Sequence, residues 1–184
     1  MTGGEGVEVL VLHGSPGSGK TTLSRSVSEI LRRADVAHAV IDLDDLDRVY
    51  PHRGRAFVRD NLRGVWPNYT AKRPLKVIIP SLIANEQERD DLRAAVPAAR
   101  FLVCELTAPE AVLRHRVTER EAAGGEYWQT RLLNFVDMYN RRTDLTQIRD
   151  FLVATNARST EEAAKEIIDR AGWTLDSHSS SSQL

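Results

Sequence analysis

Short apolar runs alternate with longer amphipathic stretches along most of the chain. The apolar runs are rich in Val, Ile and Leu and mostly lack polar alternation, which is typical of parallel strands covered on both faces. They predict five strands, at Val7–Leu12, Ala37–Ile41, Lys76–Ile79, Phe101–Leu106 and Phe151–Ala154. The amphipathic stretches predict a helix after Gly19 and further helices at Arg55–Val65, Glu86–Ala95, Ala108–Glu121, Tyr127–Arg142 and Thr160–Ala171. The expected fold is α/β, a three-layer sandwich in which a five-stranded parallel sheet has helices on both faces.

Two of the predicted helix starts have the spacing of a capping box. Thr107 precedes Glu110 by three residues after the fourth strand, and Ser159 precedes Glu162 in the same way after the fifth. In such a box the hydroxyl and the carboxylate each accept a hydrogen bond from a backbone N–H of the first turn. We therefore expect Thr107 and Ser159 to be N-caps.

The composition is that of an ordinary globular protein, with 41% hydrophobic and 28% charged residues among 184. This length predicts one domain over residues 1–175. The polar tail at 176–184 has almost nothing to bury, so we expect it to be disordered. The formal net charge is −1, so no basic field favours nucleic acid as a partner.

Cysteine usage and the N-terminal sequence point to the cytoplasm. A single cysteine, Cys104, excludes an intrachain disulfide, and its apolar setting predicts an inert core thiol. The apolar run at Val7–Leu12 is too short for a signal core or a membrane span. We expect a cytoplasmic protein that does not contact a membrane.

The loop after the first strand carries the pattern G-x-x-x-x-G-K-[ST] from Gly14 to Thr21. A strand precedes this pattern and a helix follows it, as a phosphate-binding P-loop requires. Its glycines allow backbone N–H groups to turn toward a phosphate, a lysine reaches the β- and γ-phosphates, and a threonine hydroxyl binds Mg²⁺. The sequence therefore predicts ATP and Mg²⁺ as cofactors. The expected nucleotide-binding residues are Gly14, Ser15, Gly17, Ser18, Gly19, Lys20, Thr21 and Thr22, with Lys20 also catalytic and Thr21 also a metal ligand.

Carboxylates cluster after the second strand, whereas the third strand ends without one. If the chain is still extended there, Asp42 and Asp44 share a face at the edge of the sheet where ligands bind. Asp44 is the expected catalytic base, and Asp42 is expected to contact the metal and the acceptor. Glu105, at the end of the fourth strand, is the alternative for either role. Asp45 and Asp47 are interpreted as part of a solvated loop.

With these residues the chain resembles the small-molecule kinases of the P-loop fold, and most of all the adenylylsulfate kinase family and related antibiotic and metabolite phosphotransferases. The resemblance extends over about Val7–Gly172. Ile41–Asp44 is similar to that family's D-G-D, whose second aspartate lies at the reacting centre. Asn61–Arg63 resembles its N-I-R-R helix, which lines the acceptor pocket, and Val77–Ile83 resembles the strand and turn of its A-F-I-S-P segment.

The resemblance implies an acceptor site in the segment between the second and third strands. Arg59, Asn61 and Arg63 are the expected acceptor ligands, and arginines there suit an anionic or polar ringed molecule. Helical spacing places Arg55, Arg59 and Arg63 along one stripe, and alternatively this arginine stripe is a solvated helix face. Trp66 is expected to belong to the core.

Two arginines four residues apart, Arg116 and Arg120, share one face of a predicted helix. Nucleotide kinases have a similar spacing, which implies that Arg116 lies against the adenine and that Arg120 meets the phosphates during catalysis. The sequence at Gly124–Trp128 then suggests either a hinged lid or a plain connection between helices.

Together these features predict an ATP-dependent phosphotransferase whose acceptor is a hydroxyl of a small molecule, a metabolite or an antibiotic. The alternative is an ATP-binding switch or ATPase module that acts through a protein partner. We expect a monomer or a homodimer.

Overall fold

The computed structural model describes residues 6–72, 74–122, 125–173 and 175. Five parallel strands form one sheet in the order β2–β3–β1–β4–β5. The strands are β1 (Val7–His13), β2 (His38–Val40), β3 (Leu75–Pro80), β4 (Ala99–Thr107) and β5 (Phe151–Ala154). The predicted α/β fold is therefore confirmed.

Helices join the strands and cover both faces of the sheet. In the described residues they are α1 (Lys20–Arg33), α2 (Leu43–Leu46), α3 (Gly54–Thr70), α4 (Glu86–Ala95), α5 (Glu110–Arg120), α6 (Glu126–Asn140), α7 (Leu145–Ile148) and α8 (Thr160–Arg170). The sequence pattern did not predict α2 and α7, because four residues are too few to show helical periodicity.

Two apolar cores lie on opposite faces of the central strand. Val7, Val9 and Val11 of β1 point into the core shared with α3 and α4. Leu10 and Leu12 of the same strand point into the core shared with α1 and α8. Because all strands are parallel, the loops after β1, β2, β3, β4 and β5 meet at one edge of the sheet, where a ligand site is expected.

The two predicted capping boxes have different outcomes. At Ser159 the prediction is confirmed, since Ser159 Oγ accepts from Glu162 N at 3.2 Å and Glu162 Oε2 accepts from Ser159 N at 2.8 Å. At Thr107 it is wrong. Thr107 is the last residue of β4, where its carbonyl accepts from Thr155 N at 2.8 Å, and Pro109 takes the N-cap position of α5.

None of the helices in the described ranges is long and apolar enough to cross a membrane. The tail at 176–184 and Gly124 lie outside the described residues.

Cys104 is fully buried and burial raises the pKa of its thiol, as expected for an inert core cysteine. Trp66 is also buried, and its indole N–H donates to Pro97 O at 3.1 Å.

Replacing the cap of α8 should destabilise the fold. We expect Ser159→Ala to lower the free energy of unfolding by about 1 kcal/mol, because one N–H of the first turn loses its acceptor. Urea denaturation measures the change. Ser159→Asp, which retains an acceptor at the N-cap, is the control, and equal losses in the two variants would contradict a capping role.

Candidate active site

The loop between β1 and α1 is packed so closely that two of its glycines have no room for a side chain. A Cβ on Gly14 would lie 2.5 Å from Leu106 O, and a Cβ on Gly17 would lie 2.6 Å from Leu113 O. Gly17 also has a φ of +80°, a conformation that glycine adopts without strain. These contacts fix the loop against β4 and α5.

Lys20 begins α1 and extends back over the loop. Its ammonium donates to Gly14 O at 2.8 Å and to Ser15 O at 3.1 Å. Burial lowers the pKa of Lys20 to about 8, with a contribution from Arg120, while Asp44 and Asp42 act in the opposite direction. The cation is therefore held in place by the loop itself and lies within electrostatic reach of both aspartates.

The loop is suited to bind an anion. Ser15 and Ser18 are 1% and 0% exposed, and neither hydroxyl has a hydrogen-bond partner in the described part of the chain. A buried hydroxyl without a partner is costly, and a phosphate oxygen at a helix N-terminus would satisfy it. The residues present therefore fit the phosphates of ATP. Thr21, in the exposed first turn of α1, is the residue that would contact Mg²⁺.

Beside the loop lies a cleft of 340 Å³ that can take the rest of a nucleotide. Its wall includes Thr22 and both arginines of the predicted pair, Arg116 and Arg120. Arg116 is held by Gly17 O (3.2 Å) and by Thr155 O (2.8 Å), which leaves the face of its guanidinium group for stacking. Arg120 is 57% exposed and its Nε contacts Glu121, so its side chain is free to move onto a phosphate.

The connection between β5 and α8 also contributes to this cleft, and the sequence did not predict that contribution. Thr155, Arg158, Ser159 and Thr160 also line it. The signal was available, because this segment follows a predicted strand and therefore lies at the same edge as the P-loop.

The chain is not extended as far as Asp44, so the condition under which Asp42 and Asp44 would share a face is not met. Asp42 is the N-cap of α2, and its Oδ1 accepts from Asp44 N at 3.0 Å. The chain turns at Leu43, so the two aspartates do not share a strand face. Burial raises the pKa of Asp42, and the carboxylates of Asp44 and Asp45 add to the rise. Asp44 itself is exposed at the rim of a second pocket.

This second pocket, called here the acceptor pocket, has a volume of 180 Å³ and lies between α2, α3, α4 and the segment after β3. Polar side chains line it together with Leu43, Val58, Leu82, Ile83 and Leu92. The polar members are Asp44, Asp47, Arg55, Arg59, Ser81 and Glu88. Four residues were expected to contact the acceptor, namely Asp42, Arg59, Asn61 and Arg63, and only Arg59 is among the lining residues.

The other three make local contacts outside the lining, and Asp42 does so as the N-cap of α2. Asn61 Nδ2 donates to Leu46 O at 3.0 Å, which ties α3 to α2. Arg63 pairs with Asp60, one turn away on the same helix, at 2.8 Å. The structure thus divides the predicted arginine stripe, since Arg55 and Arg59 face the pocket whereas Arg63 does not.

Glu105, the alternative carboxylate, is already engaged in a buried network. It is 2% exposed, pairs with Arg149 at 2.5 Å and accepts from Tyr139 Oη at 3.1 Å. His13 Nδ1 accepts from Ile83 N at 2.9 Å, so the neutral ring carries its proton on Nε2 and donates it to Tyr139 Oη at 3.1 Å. The network joins His13, the residue before the P-loop, to Tyr139 of α6. No histidine was assigned a role from the sequence.

The fold and the loop define a P-loop nucleotide-binding protein. A family model described as an AAA domain matches residues 9–145, so the chain belongs to that AAA domain family. No curated protein matches the chain in sequence.

Among solved structures, similar folds include several kinases of small molecules. An APS kinase of Mycobacterium tuberculosis, in complex with AMPPNP and APS, shares 20% identity at a TM-score of 0.63, over 90% of this chain and 98% of the other. A shikimate kinase from Acinetobacter baumannii, in complex with shikimate, shares 19% identity at a TM-score of 0.58, and the match covers 90% of this chain and 93% of the other. A gluconokinase from Sinorhizobium meliloti shares 18% identity at a TM-score of 0.62, and the match covers 90% of this chain and 91% of the other.

The buried histidine should make the fold sensitive to acid. Burial, followed by the charges of Arg142 and Lys20, lowers the pKa of His13 from its ordinary value of 6.5 to about 3. The unfolded chain therefore binds a proton more tightly than the folded one, and the resulting stability is complete above pH 6.5 and lost as the pH falls toward 3.

Carboxylates also contribute to the loss of stability at acid pH. Comparison with His13→Gln isolates the part of this loss that is due to His13. Between pH 7 and pH 5 the wild type should lose about 2 kcal/mol more of its free energy of unfolding than the variant, as measured by urea denaturation at each pH. Parallel pH profiles would show that His13 is not buried in the neutral form.

Proposed function

We propose that the protein is an ATP-dependent phosphotransferase that moves the γ-phosphoryl group of Mg-ATP to a hydroxyl of a small molecule. The observation that carries this proposal is the position of Asp44. It lines the acceptor pocket and is also close enough to Lys20 to act on its pKa. A carboxylate thus stands between a cation suited to a phosphate and a pocket suited to an acceptor.

Each residue around the loop has a distinct task in this reaction. The loop amides, the hydroxyls of Ser15 and Ser18, and the Lys20 ammonium bind and orient the β- and γ-phosphates. Thr21 and Asp42 would hold Mg²⁺, which would neutralise phosphate charge. Arg116 orients the base, and Arg120 moves to the phosphates as charge develops there.

Asp44 accepts the proton of the acceptor hydroxyl. The new bond joins the acceptor oxygen to the γ-phosphorus, the bond from that phosphorus to the β–γ bridging oxygen breaks, and ADP leaves. Arg59 lies on the wall of the acceptor pocket, where it limits the orientations that the acceptor can take. The kinase neighbours support this proposal, since APS and shikimate are small molecules bound by proteins of the same fold.

The first test is whether ATP is consumed in an acceptor-dependent way. Purified protein incubated with Mg-ATP should release ADP faster when a deproteinised metabolite extract is added. Lys20→Ala should lower that rate by at least about 100-fold, because the charge at the β–γ bridge loses its partner. Lys72→Ala, at an exposed site two residues after the end of α3, is the control. Release that does not depend on the extract would favour an ATPase module.

The assignment of the base has its own test. Asp44→Asn should lower turnover by about 100-fold and leave the affinity for the ATP analogue AMPPNP nearly unchanged, because the lost group acts on the acceptor proton. Stopped-assay kinetics and calorimetry measure the two quantities. Asp45→Asn, which removes the exposed neighbour paired with Arg48, should behave like the wild type. An unchanged turnover number in Asp44→Asn would exclude Asp44 as the base.

A further inference from the structure

The arginines of the acceptor pocket are already neutralised by neighbouring carboxylates. Arg55 Nη1 pairs with Glu88 and also donates to Leu82 O at 3.1 Å. Arg59 pairs with Asp91 of α4 at 3.3 Å. Neither guanidinium group therefore offers an uncompensated positive charge to an anionic acceptor.

Two carboxylates of the same pocket, those of Asp44 and Asp47, have no arginine or lysine within ion-pair distance in the described part of the chain. Asp47 Oδ1 is buried and has no hydrogen-bond partner there, and Asp47 Oδ2 lies 3.6 Å from His52 Nδ1. A buried carboxylate oxygen without a hydrogen-bond donor is costly, and the described residues supply no donor to Asp47 Oδ1.

The same two carboxylates also line a third, shallower hollow of 470 Å³. Its other lining residues, Arg48, Val49, Tyr50 and His52, belong to the segment after α2. Asp44 and Asp47 therefore border two adjacent spaces.

We propose that the acceptor is a hydroxylated amine whose ammonium group binds to Asp47 while a neighbouring hydroxyl faces Asp44. Amino sugars and aminocyclitols have this chemistry, with an ammonium and a hydroxyl on adjacent carbons. The Asp47 side chain lines the pocket and is 31% exposed, so an ammonium there would contact the accessible part of this carboxylate, and its charge would balance the two carboxylates that would repel an anion. The inference rests on the proposed function and replaces the anionic acceptor expected from the arginine stripe.

The test compares acceptors that share a skeleton and differ in charge. Glucosamine, glucose and gluconate form one series, and deoxystreptamine and myo-inositol form a second. Initial rates of ADP release with Mg-ATP give kcat/KM for each acceptor, and mass spectrometry verifies the phosphate ester. We expect the amine in each series to exceed the neutral compound by about tenfold or more, which corresponds to about 1.4 kcal/mol, and gluconate to be the poorest.

A variant of the ammonium ligand links this preference to the pocket. Asp47→Asn should lower kcat/KM for the amines by about tenfold through KM, and change that for glucose and myo-inositol by less than about twofold. Asp45→Asn, which removes a carboxylate outside the acceptor pocket, should keep the preference for amines. An equal loss for charged and neutral acceptors in Asp47→Asn would show a structural role and overturn the inference.

The outcomes separate this inference from the proposed function. If gluconate or a neutral compound forms the phosphate ester fastest, the inference that the acceptor is a hydroxylated amine is overturned. The same result supports the proposed phosphotransferase activity. Failure of both amines to accept phosphate also overturns the inference, while ester formation from the metabolite extract decides the proposed function independently.

Discussion

The site depends on one constraint, which is the close contact of the P-loop backbone with β4 and α5. Gly14 lies against the carbonyl of Leu106 and Gly17 against that of Leu113, with no space for a Cβ at either position. The loop is thus fixed to β4 and α5 before any nucleotide binds. Lys20, held by carbonyls of the same loop, occupies its place without the entropy loss that a free lysine would incur on binding a phosphate.

The two sides of this loop have opposite electrostatic character. On the nucleotide side, the Lys20 ammonium lies over the loop. The wall of the cleft includes Arg116 together with Arg120, which pairs with Glu121, and Arg158, which pairs with Glu166. On the acceptor side, Arg55 and Arg59 pair with carboxylates of α4, whereas Asp44 and Asp47 have no arginine or lysine partner among the described residues. We therefore expect ATP and the proposed acceptor to be recognised by different charges.

The central part of the fold could be predicted from the sequence because its signals are local. Apolar runs marked the five strands, and the Gly-rich pattern marked the P-loop, since both depend on residues adjacent in the chain. The capping box at Ser159 was equally local. At Thr107 the same spacing failed, because pairing with β5 extended β4 through that residue.

The acceptor side was harder to predict because long-range contacts determine it. Arg55 pairs with Glu88 and Arg59 with Asp91, partners more than thirty residues away, and no helical spacing reveals such neutralisation. The short helix α2 turned Asp47 from an expected loop residue into part of the pocket lining. His13 was missed for the same reason, since its partners Ile83 and Tyr139 lie 70 and 126 residues away.

The most direct test of phosphoryl transfer follows the fate of the γ-phosphate. Protein incubated with a deproteinised metabolite extract and ATP radiolabelled at its γ-phosphate should transfer the label to an organic phosphate ester, separable by thin-layer chromatography. ATP labelled at its α-phosphate should leave all label in ADP. Recovery of the γ-label only as inorganic phosphate, with the extract present, would contradict the account.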